Sequence, residues 1–181
     1  MKKIMCITCI LLICFSFAAC NRENSANNAT ELPQEENMSG INAQVSATPE
    51  RDGTKYTFEG YFTTSLPQGV RAEDKSINND AGLFAIYDDS MTYLDVTYYE
   101  TGTSDQEVAQ KVKQIASTGT ASEKDPITVG GIIFYGVSMP DYGKTQYMGY
   151  VNGHDVTISV YVDINNNVVQ SFINHTEFTA E

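Results

Sequence analysis

The sequence contains no tryptophan, and all four of its cysteines fall within the first 20 of its 181 residues. The chain beyond these residues therefore has no thiol for a disulfide framework, a cysteine-based metal site or a cysteine nucleophile. A folded region there must take its stability from a hydrophobic core, and about 125 residues can bury enough apolar surface for one. The four cysteines are Cys6, Cys9, Cys14 and Cys20.

Basic residues are also scarce. The sequence has 11 Lys and Arg residues and 23 Asp and Glu residues, which give a formal net charge of −12. The acidic residues are dispersed, which is typical of a solvated surface. Binding to a phosphate backbone requires clustered Lys and Arg, so this balance argues against a nucleic-acid partner. It argues equally against attachment to anionic lipids or polymers through charge.

The N-terminal residues 1–19 have the anatomy of a signal peptide. Lys2 and Lys3 precede an uncharged segment, residues 4–19, which is shorter than the ~20 residues of a membrane span. The segment ends in Phe17-Ala18-Ala19-Cys20 and resembles the lipobox of bacterial lipoproteins, with Phe17 where Leu is usual. The resemblance implies cleavage before Cys20, lipidation of Cys20, including palmitate, and display on the extracytoplasmic face of the cell membrane.

Residues 20–53 are rich in Asn, Glu, Ser, Ala, Gln and Pro and carry no periodic apolar pattern. This composition predicts the lipidated Cys20 followed by a disordered tether. As a flexible coil the tether would hold the rest of the chain roughly 30 Å from the membrane. We expect residues 54–181 to form one folded domain.

Residues 144–163 contain the clearest strand signal in the chain. Asn152-Gly153 separates two alternating runs, which favours a two-residue type I′ hairpin. In that register Val151 pairs with His154 and Gly149 with Val156. The residues predicted to face the core on the second strand are Val156, Ile158, Val160 and Val162.

Two helices and a second hairpin are predicted from local signals. Ser104 and Glu107 form a capping box that predicts a helix over 105–117. Asn166 or Asn167 can cap a last helix, and Gly130-Gly131 predicts a hairpin. The predicted order is four strands, a helix, four strands and a helix. Consecutive hairpins predict an α+β fold, a mostly antiparallel β-sheet flanked by two helices.

Residues 62–70, with the sequence FTTSLPQGV, resemble the F-x-x-x-x-P-x-G-W opening of PsbP/Mog1-like domains, with Val70 where Trp is common. The two glycine hairpins and the terminal helix follow in a similar order over residues 55–181. The resemblance implies a PsbP/Mog1-like α/β/α sandwich. It also implies binding or assembly rather than catalysis, although a shared fold does not transfer a function.

The candidate catalytic and metal-binding residues are each better explained structurally. His154 adjoins Asp155, but adjacent strand residues face opposite sides and make a poor relay. His175 lies at a helix end, where its charge suits the helix dipole. We expect Asp88-Asp89 to form a hydrated turn with Asp95 or Glu100 nearby, rather than an acid–base pair.

The segment Asp163–Asn167 copies the start of a calcium-binding loop. The copy fails, because Val168 replaces the glycine at position six of that loop and Asn174 the glutamate at position twelve. A strand end followed by a helix cap is therefore favoured. The sequence predicts no catalytic residue, no cofactor and no metal ligand.

Tyrosine is the one enriched residue type, since all eleven tyrosines lie after residue 55. Most are expected to pack within a sheet. Four are expected to be exposed and form a candidate surface for a protein, peptide, sugar or other small ligand. They are Tyr93, Tyr99, Tyr150 and Tyr161.

The combined prediction is a membrane-anchored lipoprotein, monomeric, with a non-catalytic binding or accessory domain. One alternative is a cell-envelope hydrolase that uses dispersed carboxylates, and another is a structural accessory subunit of a secreted or membrane complex. A deep pocket holding two acids with shifted pKa values would favour the hydrolase. Co-purification with a complex would favour the accessory subunit.

Overall fold

The computed structural model describes residues 43–76 and 81–179, so the predicted signal peptide, Cys20 and most of the predicted tether lie outside the described residues. The strands are β1 (Val45–Glu50), β2 (Gly53–Phe58), β3 (Phe62–Leu66), β4 (Arg71–Asp74), β5 (Ala81–Tyr87), β6 (Thr92–Tyr99), β7 (Ser122–Val129), β8 (Ile132–Met139), β9 (Lys144–Val151), β10 (His154–Val160) and β11 (Glu177–Phe178). The helices are α1 (Asp105–Ala116), α2 (Asn167–His175) and a short 3-10 helix, Pro140–Tyr142. Within the described ranges, no helix has the length and apolar character needed to span a bilayer.

The strands form two antiparallel sheets. The larger sheet has seven strands in the order β4-β5-β6-β10-β9-β8-β7, and the smaller has four in the order β1-β2-β3-β11. The predicted α+β class, mostly antiparallel with two α-helices, is confirmed. The division into two sheets was not predicted, because hairpin signals give local pairings and do not say which hairpins join.

Both glycine turns have positive backbone φ angles, as predicted for the type I′ turn at Asn152-Gly153. Asn152 and Gly153 have φ values of +45° and +88°, and Gly130 and Gly131 have +55° and +81°. Positive φ at both central residues is what a type I′ turn requires. The β9–β10 register confirms the predicted pairs from Val151–His154 onward.

The main core lies between the larger sheet, the smaller sheet and α2. Val156, Ile158 and Val160 point into it as predicted, whereas Val162 lies beyond the end of β10 and is only partly buried. The largest completely buried side chains of this core are five phenylalanines. They are Phe58, Phe62, Phe84, Phe134 and Phe172.

Helix α1 covers part of the other face of the larger sheet. Ser104 accepts a hydrogen bond from the Glu107 backbone N–H, which confirms the predicted cap. The helix packs chiefly on β7, β8 and β9. Its apolar side, Val108 and Val112, forms a second cluster with Val137 and Met148. The same face continues beyond the helix over β10, β6, β5 and β4.

Helix α2 begins as predicted. Asn166 is its N-cap and accepts from the Val168 backbone N–H. Val168, Val169 and Phe172 are buried in the main core. The amphipathic spacing at the end of the sequence therefore specifies both the helix and its buried side.

Strand β1 corrects the boundary of the predicted tether, residues 20–53. It pairs with β2 along all six of its residues, from Val45–Phe58 to Glu50–Gly53. All of its side chains are exposed, so no apolar alternation marks it in the sequence. β1 is an edge strand, where Pro49 is tolerated because hydrogen bonds are needed on one side only.

Candidate functional site

The part of the larger sheet that α1 leaves uncovered carries a row of polar and aromatic side chains. On β6, Leu94, Val96 and Tyr98 are buried in the main core, so the alternate residues point to the opposite side. The same alternation holds on β10 and the residue after it. We call this surface the open face, and it consists of Asp95, Thr97, Tyr99, Thr157, Ser159 and Tyr161.

The structure places two of the four predicted tyrosines on the open face, at opposite ends of the β6–β10 pairing. Tyr99 and Tyr161 are 44% and 39% exposed, respectively. Tyr150 is partly buried against the α1 cluster, and Tyr93 is partly buried against the main core. Tyr93 and Tyr150 are therefore only partly exposed, because their side chains pack against the main core and the α1 cluster, respectively.

Tyr161 is fixed by a hydrogen bond within the open face. Its hydroxyl donates to Asp95 Oδ2 over 2.7 Å. Partial burial, together with this bond to Asp95, raises the pKa of Tyr161 to about 12. Ser159, which is buried, accepts a hydrogen bond from the Gln146 side-chain amide on β9.

Three further tyrosine hydroxyls donate to carboxylates. Tyr87 donates to Glu73 over 2.6 Å, Tyr93 to Asp88 over 2.5 Å and Tyr135 to Asp105 over 3.0 Å. In each case the hydrogen bond to the carboxylate raises the tyrosine pKa. These bonds give much of the tyrosine enrichment a structural role, since they link separate segments of the chain.

The β4 side of the larger sheet is balanced in charge. Arg71 pairs with Asp89, and Lys75 pairs with Glu73 over 2.6 Å. The Tyr87 ring lies between these pairs, with the Arg71 guanidinium carbon 5.2 Å and Lys75 Nζ 5.7 Å from its centroid. Both distances fit cation–π contacts. This edge presents paired charges and one ring to the solvent.

Helix α1 borders the open face on the other side. Lys111 Nζ lies 5.9 Å from the centroid of the Tyr99 ring. The exposed Tyr99 ring therefore has a cation at one side, within the range of a cation–π contact. Lys111 was not singled out in the sequence, because helix periodicity identifies which residues are exposed but not which strand lies beneath them.

Asp88 stabilises a turn, as predicted. Its carboxylate accepts from the Ser90 hydroxyl and backbone, from the Met91 N–H and from the Tyr93 hydroxyl. These bonds, the Ser90 hydroxyl first among them, hold the pKa of Asp88 well below its usual range. A general acid needs a raised pKa, so the shift at Asp88 runs in the opposite direction.

The two histidines are held by backbone carbonyls. His154 Nδ1 lies 2.9 Å from the Tyr99 carbonyl oxygen, whereas Asp155 accepts from Thr103. The two neighbours therefore diverge, as predicted. His175 Nδ1 lies 2.9 Å from the Ser171 carbonyl oxygen in the last turn of α2.

Cavities of 360, 270 and 200 Å³ lie among the residues that the structure describes. One of 360 Å³ lies between the β1–β2 turn and α2, and includes Asp52 and His175. One of 270 Å³ lies beside Tyr98 and His154. One of 200 Å³ adjoins the open face at Tyr161. The 200 Å³ cavity lies beside the exposed Tyr161 side chain.

The segment Asp163–Asn167 forms the predicted helix cap, whereas β10 ends earlier than predicted, at Val160. Asp163 Oδ1 accepts from the Asn165 N–H, and Asn166 caps α2. In the part of the chain that the structure describes, no three acidic, histidine or cysteine side chains gather as a metal-binding group.

What the open face can do chemically follows from its own residues. It offers two exposed aromatic rings and the partly exposed side chains of Asp95 and Thr97, on a sheet whose strands are paired on both sides. Such groups bind through stacking and hydrogen bonds. No protein-family model matches the chain, and no curated protein matches it.

Proposed function

We propose that the protein is a lipoprotein, anchored through Cys20 on the extracytoplasmic face of the cell membrane, whose α+β domain binds a ligand without catalysing a reaction. The anchor and the domain are separate parts of this proposal. The first rests on the N-terminal residues and the second on the open face. A structural accessory role would be one form of the same binding function.

The support for the anchor is the order of the N-terminal signals. Lys2 and Lys3, the uncharged segment 4–19 and Cys20 follow one another as in a lipoprotein leader. A lipidated Cys20 would hold the domain through acyl chains, and stable anchoring typically takes two hydrophobic or charge signals. The sequence has no clustered basic residues to bind anionic lipids. Two or more acyl chains on Cys20 would therefore provide both anchoring signals.

The layered arrangement of the domain supports a PsbP/Mog1-like sandwich. The larger sheet has α1 on one face and α2, together with the smaller sheet, on the other. Residues 62–66 of the motif-like segment form β3, and Gly69 in the following turn has a φ of +87°, which explains a glycine there. The domain would thus use a layered fold as a frame for a binding surface.

The observation that carries the binding function is the pair of exposed rings, Tyr99 and Tyr161, on one uncovered sheet face. Tyrosine side chains are enriched at interaction surfaces, because they combine an apolar ring with a polar hydroxyl group. The carboxylates around them favour binding over hydrolysis, because Asp95 accepts from Tyr161 and Asp88 has a lowered pKa. They stabilise the surface and its neighbouring turn.

Cell fractionation tests the anchor. The full-length protein should sediment with membranes and incorporate labelled palmitate. The Cys20→Ser variant should incorporate no label and appear in the soluble or medium fraction. A Cys14→Ser variant is the matched control and should behave as the wild type. Unchanged sedimentation and labelling of Cys20→Ser would refute the anchor.

Retention of cell-envelope material on the immobilised full-length protein tests the binding function. The double variant Tyr99→Ala/Tyr161→Ala should lose most of the retained material. Tyr142→Ala removes a ring that is 69% exposed but lies on the 3-10 helix, and should retain it all. Equal retention by all three proteins would show that the open face is not the binding surface.

A further inference from the structure

We infer that the free edge of strand β1 pairs with the same edge of a second copy of this chain, in an antiparallel two-fold dimer centred on Ser46. This inference goes beyond the proposed binding function and concerns a different surface. It differs from the monomer predicted from the sequence. It follows from three properties of β1, namely its unprotected edge, its exposed apolar row and its self-complementary backbone groups.

Strand β1 differs from the other strands that end the two sheets. The larger sheet ends in β4 and β7, and the smaller sheet ends in β1 and β11. β4 contains three charged residues, β7 contains three charged residues and a proline, and β11 has only two residues. Charged side chains, proline and short length are features that keep an edge strand from pairing further. In β1 such features come only at the end, as Pro49 and Glu50.

One row of β1 side chains continues the core side of the smaller sheet. Val45 is paired with Phe58 and Ala47 with Tyr56, and both aromatic side chains are buried in the main core. Directly paired residues point to the same face of a sheet, so Val45, Ala47 and Pro49 extend its apolar side. All six β1 side chains are nevertheless exposed. A strand added beside β1 would continue the sheet and bury part of this row.

The β1–β2 register determines which backbone groups lie at the free edge. The Gln44 carbonyl oxygen accepts from the Glu59 N–H, and hydrogen-bonded pairs then alternate along the antiparallel ladder. The N–H and C=O groups of residues 46, 48 and 50 therefore face β2. Those of residues 45, 47 and 49 face away from β2, toward the free edge.

Only Val45 and Ala47 offer both a donor and an acceptor at this edge of β1. Pro49 has no N–H, and the Ala43 N–H already donates to a carboxylate of β4. When two β1 strands run antiparallel with Ser46 opposite Ser46, Val45 of each copy bonds Ala47 of the other. All of these N–H and C=O groups are then used, and a large side chain lies opposite a small one.

A second copy fits this edge better than an unrelated peptide. β1 has six residues, whereas a stable interface has ~20–30 residues on each side, so the pair is too small to capture a peptide from dilute solution. Anchors at Cys20 would confine copies to one membrane surface and raise their effective concentration. This step alone rests on the proposed function. Residues 43–49 carry no charge, so two acidic chains can approach here without opposing carboxylates.

Disulfide cross-linking of the full-length protein tests the pairing. In the proposed register the two Ser46 residues form a non-hydrogen-bonded pair with Cα atoms ~4.5 Å apart, which is within the range for a disulfide. Ser46→Cys should therefore give a dimer on mild oxidation, seen on a non-reducing gel and lost on reduction. Thr48→Cys is the matched control on the same face, because its two Cα atoms would lie roughly 13 Å apart. The wild type gives the background from the native cysteines.

The fraction that contains the protein, membrane or soluble, is concentrated before oxidation, so the result does not depend on the anchor. Ala47→Pro, added to Ser46→Cys, removes an N–H that faces the free edge and leaves the β1–β2 ladder intact. It should lower the cross-linked yield several-fold, and circular dichroism checks that the variant is folded.

Absence of a Ser46→Cys dimer, or equal yields from Ser46→Cys and Thr48→Cys, would overturn the inference. So would an unchanged yield after Ala47→Pro. Protein that sediments with membranes but does not cross-link would leave the proposed anchor in place. Soluble protein that cross-links through Ser46→Cys would overturn the anchor and support the pairing.

Discussion

Tyr161 and Asp95 are 66 residues apart in sequence, and the Tyr161 hydroxyl donates to the Asp95 carboxylate across the β6–β10 pairing. The bond turns an exposed ring into a fixed part of the sheet surface. For the proposed binding function, a ring that is fixed before the ligand binds would lower the conformational entropy lost on binding. The carboxylate therefore acts as a positioning residue for the ring.

The raised pKa of Tyr161 predicts an alkaline loss of stability. Its pKa moves from an ordinary 10.0 to about 12 on folding. The neutral phenol is thus favoured in the folded state, so its stabilising contribution is complete below pH 10 and is lost as the pH rises to about 12. Urea unfolding from pH 8 to 12 should show a smaller decrease in the free energy of unfolding for Tyr161→Phe than for the wild type.

Tyr142→Phe is the control for this measurement, because Tyr142 is exposed on the 3-10 helix. It should follow the wild-type curve. A Tyr161→Phe curve parallel to that of the wild type would contradict the proposed coupling between the phenol and folding.

The depressed pKa of Asp88 predicts the opposite pH dependence. The folded pKa lies well below the unfolded value of ~3.9. Folding thus favours the carboxylate, so its contribution is present above the unfolded pKa and is lost as the pH falls toward the folded pKa. Asp88→Asn should lower the melting temperature at pH 7 and flatten the decrease below pH 4.

The matched variant is Asp141→Asn, at an exposed position of the 3-10 helix. It should keep the melting temperature at pH 7 and the acid slope of the wild type. If Asp88→Asn loses stability in acid as steeply as the wild type, the hydrogen bonds from Ser90 and Tyr93 do not control its ionisation.

Local sequence signals predicted the hairpins and the helices, whose contacts join residues that are close in sequence. The Asn152-Gly153 turn set the β9–β10 register, and the capping box at Ser104 set the start of α1. Each of these signals involves residues close in sequence. The alternation on one strand then identified which side of it is buried.

The sequence did not reveal how distant elements meet. The β6–β10 pairing spans α1 and three strands, so the bond between Tyr161 and Asp95 has no local signal. Tyr150 alternates like an exposed residue, but α1 folds over it. Strand β1 was missed because none of its side chains is buried.

Phe62 contacts side chains from several layers of the main core. The Phe62→Ala substitution should therefore lower the free energy of unfolding. Its ring centroid lies 4.7 Å from that of Phe58, 5.3 Å from Phe84 and 6.0 Å from Phe172, on β2, β5 and α2. Removing a completely buried ring costs ~3–5 kcal/mol through lost burial and the cavity left behind. Urea unfolding of the purified variant measures the difference.

The Tyr142→Ala variant removes an aromatic ring that is 69% exposed and should change the free energy of unfolding by no more than ~0.5 kcal/mol. Similar losses in the two variants would mean that the phenylalanine cluster does not hold the layers together. Circular dichroism before unfolding checks that Phe62→Ala still folds.

The Asn152 turn offers a test of backbone strain with its own control. Asn152 has a φ of +45°, and its side-chain amide donates to the Thr179 carbonyl oxygen. Asn152→Gly loses the side-chain bond but tolerates the left-handed backbone. Asn152→Val loses the bond and also carries a β-branched side chain there, which adds ~1–2 kcal/mol. The difference in unfolding free energy between the two variants therefore isolates the strain, and equal stabilities would mean that the side-chain bond, not the turn conformation, makes Asn the fitting residue.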